Sequence, residues 1–196
     1  MKKNFFCKVG LTGKYANADW GVYNAISNGG NEPNKWRTLT FEEWEYVIKY
    51  NKWTLGYIKT AEKDSSLCFF LIPNGFVEPG DVKVTVISTS VKKNDSGFGT
   101  KEIETSSYAS NSYTVEQLEA LEKLGVVALP CGGERSGATV SKIGLYGIYW
   151  ASSVYNSFSA SGSSGGTIYV SPSYVFWRTI ESRYYGLSVR LVQNVQ

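Results

Sequence analysis

Apolar residues recur at helical spacing in the segment WRTLTFEEWEYVIKY. Trp44, Val47 and Ile48 share one face of such a helix, and polar residues occupy the other. Thr40 and Glu43 stand at the positions of a capping box, in which each side chain bonds the backbone of the other residue. The segment therefore predicts an amphipathic helix that begins after Thr40.

Two further segments have helical character. YTVEQLEALEKLG has a second capping-box pair, Thr114 and Gln117, and Gly125 stands where a helix would end. Its predicted apolar stripe consists of Val115, Leu118, Leu121 and Leu124. ADWGVYNAISNGG predicts a shorter helix that is capped by Asp19 and ended by a pair of glycines.

Short apolar runs between these segments predict strands. SLCFFLIP, VVALP, LYGIYW and LSVRLV are such runs, and the last should place Leu187, Val189 and Leu191 on one face. DVKVTVIS alternates valines with polar residues, which is typical of a half-buried strand. The long polar stretch KKNDSGFGTKEIETSSYASNS is predicted to be a loop, and CGGERSG a turn.

Residues 151–186 lack a sustained period of either kind. Apart from a candidate strand at GTIYVS, the segment is predicted to be mostly loop, although loops above about 12–15 residues are uncommon and usually functional or disordered. A flexible linker would explain SASGSSGG, and core packing would explain Trp150 and Tyr169. Neither interpretation explains the aromatic residues between Ser173 and Gly186.

The favoured interpretation of these aromatic residues is a recognition surface. Binding loops use tyrosine and tryptophan as rigid contact area, with serine, glycine and asparagine as adaptable polar residues. Each ring can cover about 150–250 Å². The segment SYVFWRTIESRYYG has this composition, so we expect a ligand to contact it.

Composition argues against several classes of function. The 196 residues carry a net charge of only +3 without a clustered basic run, which disfavours nucleic-acid binding. The chain contains no histidine, so the most common metal ligand and general base is missing. Cys7, Cys68 and Cys131 are widely spaced and form no C-x-x-C motif, and Cys68 is most simply a buried apolar residue.

The ends and apolar runs of the chain predict a soluble protein. MKKNFFCKVG lacks the apolar region of about 7–15 residues that a signal peptide requires. The longest apolar runs are far shorter than the about 20 residues of a membrane helix. An exported parent protein whose leader has been removed remains an alternative.

Three motifs together resemble a known family. WRTLTFEEWEYV and the pair YWASS and SRYYGLSVRLV are similar to segments of the formylglycine-generating-enzyme class of C-type lectin-like proteins, and YANADWGVYNAISNGGN is similar to gut-bacterial relatives of that class. The similarity is greatest to the Fibrobacter succinogenes major paralogous domain group, some of whose members are variable proteins of diversity-generating retroelements. The resemblance spans roughly Tyr15 to Val192.

The resemblance implies a fold and a variable region. The fold would be α+β: one C-type lectin-like domain over residues 1–196, with two to three helices, small antiparallel sheets and a long irregular C-terminal loop region. Residues 151–186 would be the region in which adenine-directed mutagenesis changes codons. The implied framework positions are Tyr149, Trp150, Ser153, Arg183, Gly186, Ser188, Val189 and Arg190. The implied ligand-binding positions are Asn156, Phe158, Ser173, Tyr174, Phe176, Trp177, Arg178, Thr179, Ile180, Glu181, Tyr184 and Tyr185.

The chain departs from the family pattern in three ways. The β-rich stretch that usually precedes YANADW is reduced to a short lead. No cysteine follows Cys131, which argues against the copper-dependent chemistry of the formylglycine-generating enzymes. The segment from Ser157 to Gly166 is unusually rich in serine and glycine, which leaves a binding loop and a disordered spacer as alternatives.

The tripeptide Glu32-Pro33-Asn34 matches the sugar-binding motif of calcium-dependent lectins. Calcium needs 6–8 oxygen ligands, and few other carboxylates lie nearby in the sequence. A turn built on Asn and Pro is the preferred interpretation. No metal or cofactor is therefore expected.

These observations lead to one functional hypothesis and two alternatives. We expect a non-enzymatic protein of a cell or virion surface, without catalytic residues, that binds a protein or cell-surface ligand through the diversified positions. We expect neither nucleic-acid binding nor membrane insertion. The alternatives are a structural surface or pilus-tip subunit without diversification, and an enzyme of the formylglycine-generating type.

Overall fold

The computed structural model describes residues 32–33, 35–60, 65–80, 82–87, 92–93, 99–153 and 164–194. These residues form a mixed helix-and-sheet structure with two α-helices and several small sheets. The helices are α1 (Phe41–Tyr50) and α2 (Val115–Lys123), with a 3₁₀ turn at Thr105–Ser107. The strands are β1 (Arg37–Thr38), β2 (Lys52–Ile58), β3 (Ser66–Ile72), β4 (Lys92–Lys93), β5 (Gly99–Glu102), β6 (Ser112–Tyr113), β7 (Val127–Pro130), β8 (Glu134–Ser136), β9 (Thr139–Ser141), β10 (Gly147–Trp150), β11 (Ser164–Val170), β12 (Tyr174–Ser182) and β13 (Leu191–Val192).

Both predicted capping boxes are confirmed. The Thr40 hydroxyl accepts a hydrogen bond from the Glu43 backbone N–H at 3.2 Å, and the Thr40 N–H donates to the Glu43 carboxylate at 2.8 Å. Thr114 and Gln117 make the same reciprocal pair at the start of α2. Local hydrogen-bonding patterns therefore determine where both helices begin. The third predicted helix lies outside the described residues.

The two helices bury different amounts of their predicted apolar faces. On α1, Trp44 and Ile48 are buried as predicted. On α2, Leu121 is buried and Leu118 is partly buried, but the prediction is wrong for Val115 and Leu124, which are exposed. α2 packs mainly on β6 and β7, with Leu121 in the smaller core cluster and Leu118 packed against it, so a narrow strip of its surface is covered.

A four-stranded sheet in the order β6-β2-β3-β7 is buried on both faces. In β3, Leu67 and Phe69 point into one core cluster, and Cys68, Phe70 and Ile72 point into another beneath α2. The expectation for Cys68 is confirmed, because it is a fully buried free cysteine.

A five-stranded antiparallel sheet has the order β10-β11-β12-β5-β4. Its inner face packs against α1 and contributes Ile168, Val170, Val175 and Trp177 to the larger core cluster. Trp44 of α1 belongs to the same cluster. Alternate residues of its strands point to the other face. That face is only partly exposed, because Ile148 and Thr167, which lie on it, are also buried.

Residues 151–186 contain more regular structure than predicted. The expectation of a mostly irregular loop is wrong over residues 164–182, where β11 and β12 form a long hairpin. The hairpin has a bulge, at which two residues of β12, Trp177 and Arg178, lie opposite the single residue Ile168 of β11. The cross-strand pairs on either side of the bulge are Thr167–Thr179 and Tyr169–Phe176. A bulge shifts the alternation by one residue, which explains why no constant period is visible.

Four shorter predictions need correction. Residues 82–87 are not a strand, although Val82 and Val84 are buried as the alternation suggested. The predicted polar loop contains β4 and β5, and the predicted turn CGGERSG leads into the β8–β9 hairpin. The last predicted strand is limited to β13, which pairs with β1, and Val189 is exposed.

Two observations concern the remaining expectations. Pro33 lies in a turn, as predicted for Glu32-Pro33-Asn34, although Asn34 is outside the described residues.

Neither helix in the described part of the chain has the length and apolar character needed to cross a membrane.

Candidate ligand-binding surface

A row of four aromatic rings lies on the outer face of the five-stranded sheet. Tyr169 of β11 is the cross-strand partner of Phe176 of β12, and their ring centroids are 5.9 Å apart in an edge-to-face arrangement. Tyr174 stacks on Phe176 at 5.6 Å, and Tyr146 contacts Tyr169 at 5.4 Å. Aromatic rings at these separations attract each other, so the four rings form one continuous surface. This surface is here called the aromatic row.

The aromatic row forms part of an open groove of about 530 Å³. Thr179 borders the groove next to Phe176, because the bulge brings it to the outer face. The groove is lined by Tyr146, Tyr169, Ser171, Pro172, Ser173, Tyr174, Phe176 and Thr179. A volume of this size is within the range of ordinary ligand sites.

Hydrogen bonds hold the turn between β11 and β12 in place. The Ser171 hydroxyl donates to the Tyr174 carbonyl at 3.1 Å and accepts from the Tyr174 N–H at 3.0 Å. The hydroxyl of buried Tyr108 donates to the Pro172 carbonyl at 2.7 Å, and the Ile103 N–H donates to the Ser173 carbonyl at 2.8 Å. This end of the groove is therefore preorganised rather than formed by a free loop.

Charged groups stand at both ends of the aromatic row. At one end, the Tyr174 hydroxyl donates to the Glu102 carboxylate at 3.5 Å. At the other, Lys142 pairs with Glu134 at 2.9 Å, and its ammonium lies 5.3 Å from the centroid of the Tyr146 ring. Glu181 follows Thr179 by two residues and is half-buried on the same face.

Burial changes the protonation behaviour of this surface. Burial raises the pKa of the Glu181 carboxyl, the Glu134 charge raises it further, and the Lys142 charge lowers it. Burial, with contributions from Tyr146, also raises the pKa of Tyr169 to about 12. The Tyr169 hydroxyl is therefore a neutral hydrogen-bonding group at physiological pH.

Tyr184 and Tyr185 form a second aromatic pair, with ring centroids 4.4 Å apart. Tyr184 is exposed. The pKa of Tyr185 is raised by its hydrogen bond with Tyr184, and the charges of Glu134 and Glu181 add to this effect. The two carboxylates thus act on this pair as well as on Tyr169.

One predicted binding residue is contradicted. Trp177 was expected to face the ligand, but only 1% of its surface is exposed and it belongs to the core cluster. The reason is strand alternation: Phe176 points outward, so Trp177 points inward towards α1.

Arg178 and Ile180 are also directed away from the groove. Arg178 Nη2 donates to Glu42 at 3.1 Å, and its Nε lies 3.1 Å from a Glu45 carboxylate oxygen, so it is tied to α1. Ile180 is the cross-strand partner of Gly166, and a Cβ at Gly166 would meet the Phe41 ring of α1. Cross-strand partners share a face of the sheet, which places Ile180 on the helix side.

The structure thus divides the twelve predicted positions into groups. Four of them line the groove: Ser173, Tyr174, Phe176 and Thr179. Glu181 lies on the same face of the sheet, two residues after Thr179. Tyr184 and Tyr185 form the second aromatic pair, and Asn156 and Phe158 lie outside the described residues.

Sequence reasoning missed several members of the groove. The sequence pattern favours a core position for Tyr169 and does not indicate Tyr146, Ser171 or Pro172 as binding residues. A strand-first interpretation of TIYVSPSYVF, two β-rich runs around a Ser-Pro-Ser turn, contains the signal that pairs Tyr169 with Phe176.

Comparison with protein-family models, curated proteins and solved structures finds no significant match to this chain. Within the described ranges, no group of three or more cysteine, aspartate or glutamate side chains is arranged to hold a metal ion.

Proposed function

We propose that this protein is a non-enzymatic binding module, and that the aromatic row is the centre of its ligand site. The observation that carries the proposal is the row itself: four rings in contact on the outer face of a sheet whose inner face is the core. Tyrosine-rich surfaces on rigid supports are typical of protein recognition, because ordering them costs little conformational entropy.

The finer proposal is a variable protein of a diversity-generating retroelement on a C-type lectin-like scaffold. The motif resemblance described above supports it. So does the position of the expected variable residues Ser173, Tyr174, Phe176, Thr179 and Glu181, which share one face. A surface whose codons change must not carry the core, and these five residues are half-buried or exposed and belong to neither core cluster. Trp177, which the resemblance also implies to be variable, is a core residue and does not meet this requirement.

Contacts of the implied framework residues support the same proposal. The Tyr149 hydroxyl donates to the Pro130 carbonyl at 2.6 Å, and the Ser153 hydroxyl accepts from the Phe41 N–H at 2.8 Å. The Trp150 N–H donates to the Ser188 carbonyl at 3.0 Å. These bonds join β10 and the residues after it to the remainder of the structure, independently of the groove.

Binding is tested by selection from a phage-displayed library of random linear peptides on the immobilised protein. The peptides recovered should bind the wild-type protein and lose at least about tenfold in affinity with Phe176→Ala, which corresponds to about 1.4 kcal/mol. Tyr50→Ala is the matched control, because Tyr50 is an exposed tyrosine on α1 outside the groove. Equal losses in the two variants, or none in either, would refute the proposed site.

Diversification is tested in the genome. A reverse-transcriptase gene near the coding sequence, with a near-copy of the codons for residues 150–190 that differs at adenines, is the expected finding. Its absence would favour a structural surface subunit without a variable region over the retroelement proposal.

A further inference from the structure

Among the described side chains, the contacts and charge interactions of the aromatic row involve three carboxylates and one ammonium group. Glu102 lies at the Tyr174 end, and Glu134 and Glu181 act on Tyr169 at the other end. Lys142 is a cation that acts on Glu181 at this end, and it is already paired with Glu134 at 2.9 Å. Arg178 is bound to the glutamates of α1 on the opposite side of the sheet. Of these described groups, a ligand in the groove therefore meets more carboxylate than ammonium charge.

Glu181 is the carboxylate that a ligand would benefit most from contacting. It is half-buried, and the charges that act on it are the like charge of Glu134 and the already paired Lys142. A partly desolvated carboxylate gains more from a new cationic partner than an exposed one does, because solvent screens it less.

The rings favour the same charge. The faces of tyrosine and phenylalanine rings are electron-rich, and a guanidinium or ammonium group within about 6 Å of the centroid is attracted to them. Lys142 already stands over Tyr146 in this way. Arginine in addition stacks flat on aromatic rings and pairs with carboxylates through two parallel hydrogen bonds.

Resting on the binding function proposed above, we infer that the partner is a protein segment that presents arginine or lysine side chains to this face. A basic side chain of the partner stacks on Tyr169 and Phe176 and pairs with Glu181, and neighbouring residues of the segment occupy the groove towards Ser173. The open groove of about 530 Å³ is larger than one such side chain requires and accommodates a short segment.

The peptide selection described above tests this inference with additional arms. Recovered peptides should be enriched in arginine and lysine. In a recovered peptide, replacing the arginine on which binding depends by citrulline, which keeps the shape and removes the charge, should weaken binding about tenfold. Glu181→Gln should weaken binding by a similar factor. Glu119→Gln, an equal charge change on the exposed side of α2, should have no effect. Added salt should weaken binding of the basic peptides.

The outcomes separate this inference from the proposed function. Peptides that depend on Phe176 but are neutral or acidic, and that bind Glu181→Gln as well as wild type, would overturn the charge inference and leave the binding site intact. A selection in which no recovered peptide depends on Phe176 would overturn both. Thermal unfolding of each variant shows whether it is folded, and Glu102→Gln provides a second charge variant at the other end of the row.

Discussion

Phe176 and Trp177 are consecutive residues whose side chains lie on opposite faces of the same sheet. The Phe176 ring contacts Tyr169 and Tyr174 in the aromatic row, with centroids 5.9 and 5.6 Å away. The Trp177 ring is fully buried in the core cluster. The boundary between scaffold and proposed binding surface thus runs between two neighbouring positions of β12.

This separation predicts different effects of two alanine substitutions. Trp177→Ala should lower the free energy of unfolding by about 3–5 kcal/mol, because it empties a large space in the core. Phe176→Ala should cost about 1 kcal/mol, since it mainly removes contacts within the aromatic row. Urea denaturation of both variants measures the difference. Equal destabilisation by the two substitutions would contradict the assignment of faces.

Local signals in the sequence were sufficient for the starts of α1 and α2 and insufficient for the hairpin. Thr40 with Glu43, and Thr114 with Gln117, are contacts over three residues, so sequence alone revealed them. The β11–β12 hairpin depends on a bulge at Trp177 and Arg178, which moves Thr179 to the face of Phe176 and breaks the two-residue period. Four of the twelve predicted binding positions line the groove and Glu181 lies on the same face, and the motif resemblance and the composition of the segment, not its periodicity, identified them.

The glycines of β11 show what no linear pattern contains. Gly165 and Gly166 looked like part of a spacer, but ideal Cβ atoms there would collide with the rings of Trp150 and Phe41. These rings come from β10 and α1, which lie far away in the sequence. The requirement for glycine is therefore a tertiary one.

Gly166→Ala tests this requirement. The new Cβ would lie 2.7 Å from Cε1 of the Phe41 ring, so the ring or the strand must move, and we expect a loss of about 1–3 kcal/mol in unfolding free energy. Gly80→Ala is the control, because a Cβ there meets no atom within 4 Å. Combining Gly166→Ala with Phe41→Leu should cost less than the sum of the single changes. Strict additivity would argue against this contact.

Arg178 has a backbone conformation that few residues favour. Its φ is +66°, in the left-handed region, and its side chain is ion-paired with Glu42 and Glu45. Arg178→Asn should change stability little, because asparagine tolerates this region and partly exposed ion pairs contribute only about 0–1 kcal/mol.

Arg178→Val is the contrasting variant. A β-branched residue at this φ should cost about 1–3 kcal/mol, and it also loses the ion pairs. Thermal unfolding of the two variants side by side gives the comparison. If valine were tolerated as well as asparagine, the bulge geometry at this position would be incorrect.

Glu43 should support stability at neutral but not at acid pH. The hydrogen bonds from the Arg37 guanidinium, together with those from Thr40, lower the pKa of the Glu43 carboxyl. A native pKa below the unfolded value stabilises the fold above the unfolded value, and this contribution is lost as the pH falls through the native value. Glu43→Gln should therefore lower the unfolding free energy at pH 7, and the deficit should shrink below the ordinary carboxyl pKa of 4.5.

Glu181 should behave in the opposite way, because burial and the Glu134 charge raise its pKa above the ordinary value of 4.5. The native state then holds this proton to a higher pH than the unfolded state does, so ionisation costs stability as the pH rises from the unfolded towards the native pKa. Glu181→Gln removes the charge, and it should raise the unfolding free energy at pH 7 while leaving it nearly unchanged below pH 4.5. Urea denaturation across this pH range measures the unfolding free energy of both the Glu43 and the Glu181 variants.

Glu181→Gln should also weaken binding of a basic peptide. A gain in stability together with a loss of affinity distinguishes a carboxylate that serves ligand binding from one that supports the fold. A loss of stability at neutral pH in Glu181→Gln would contradict this assignment.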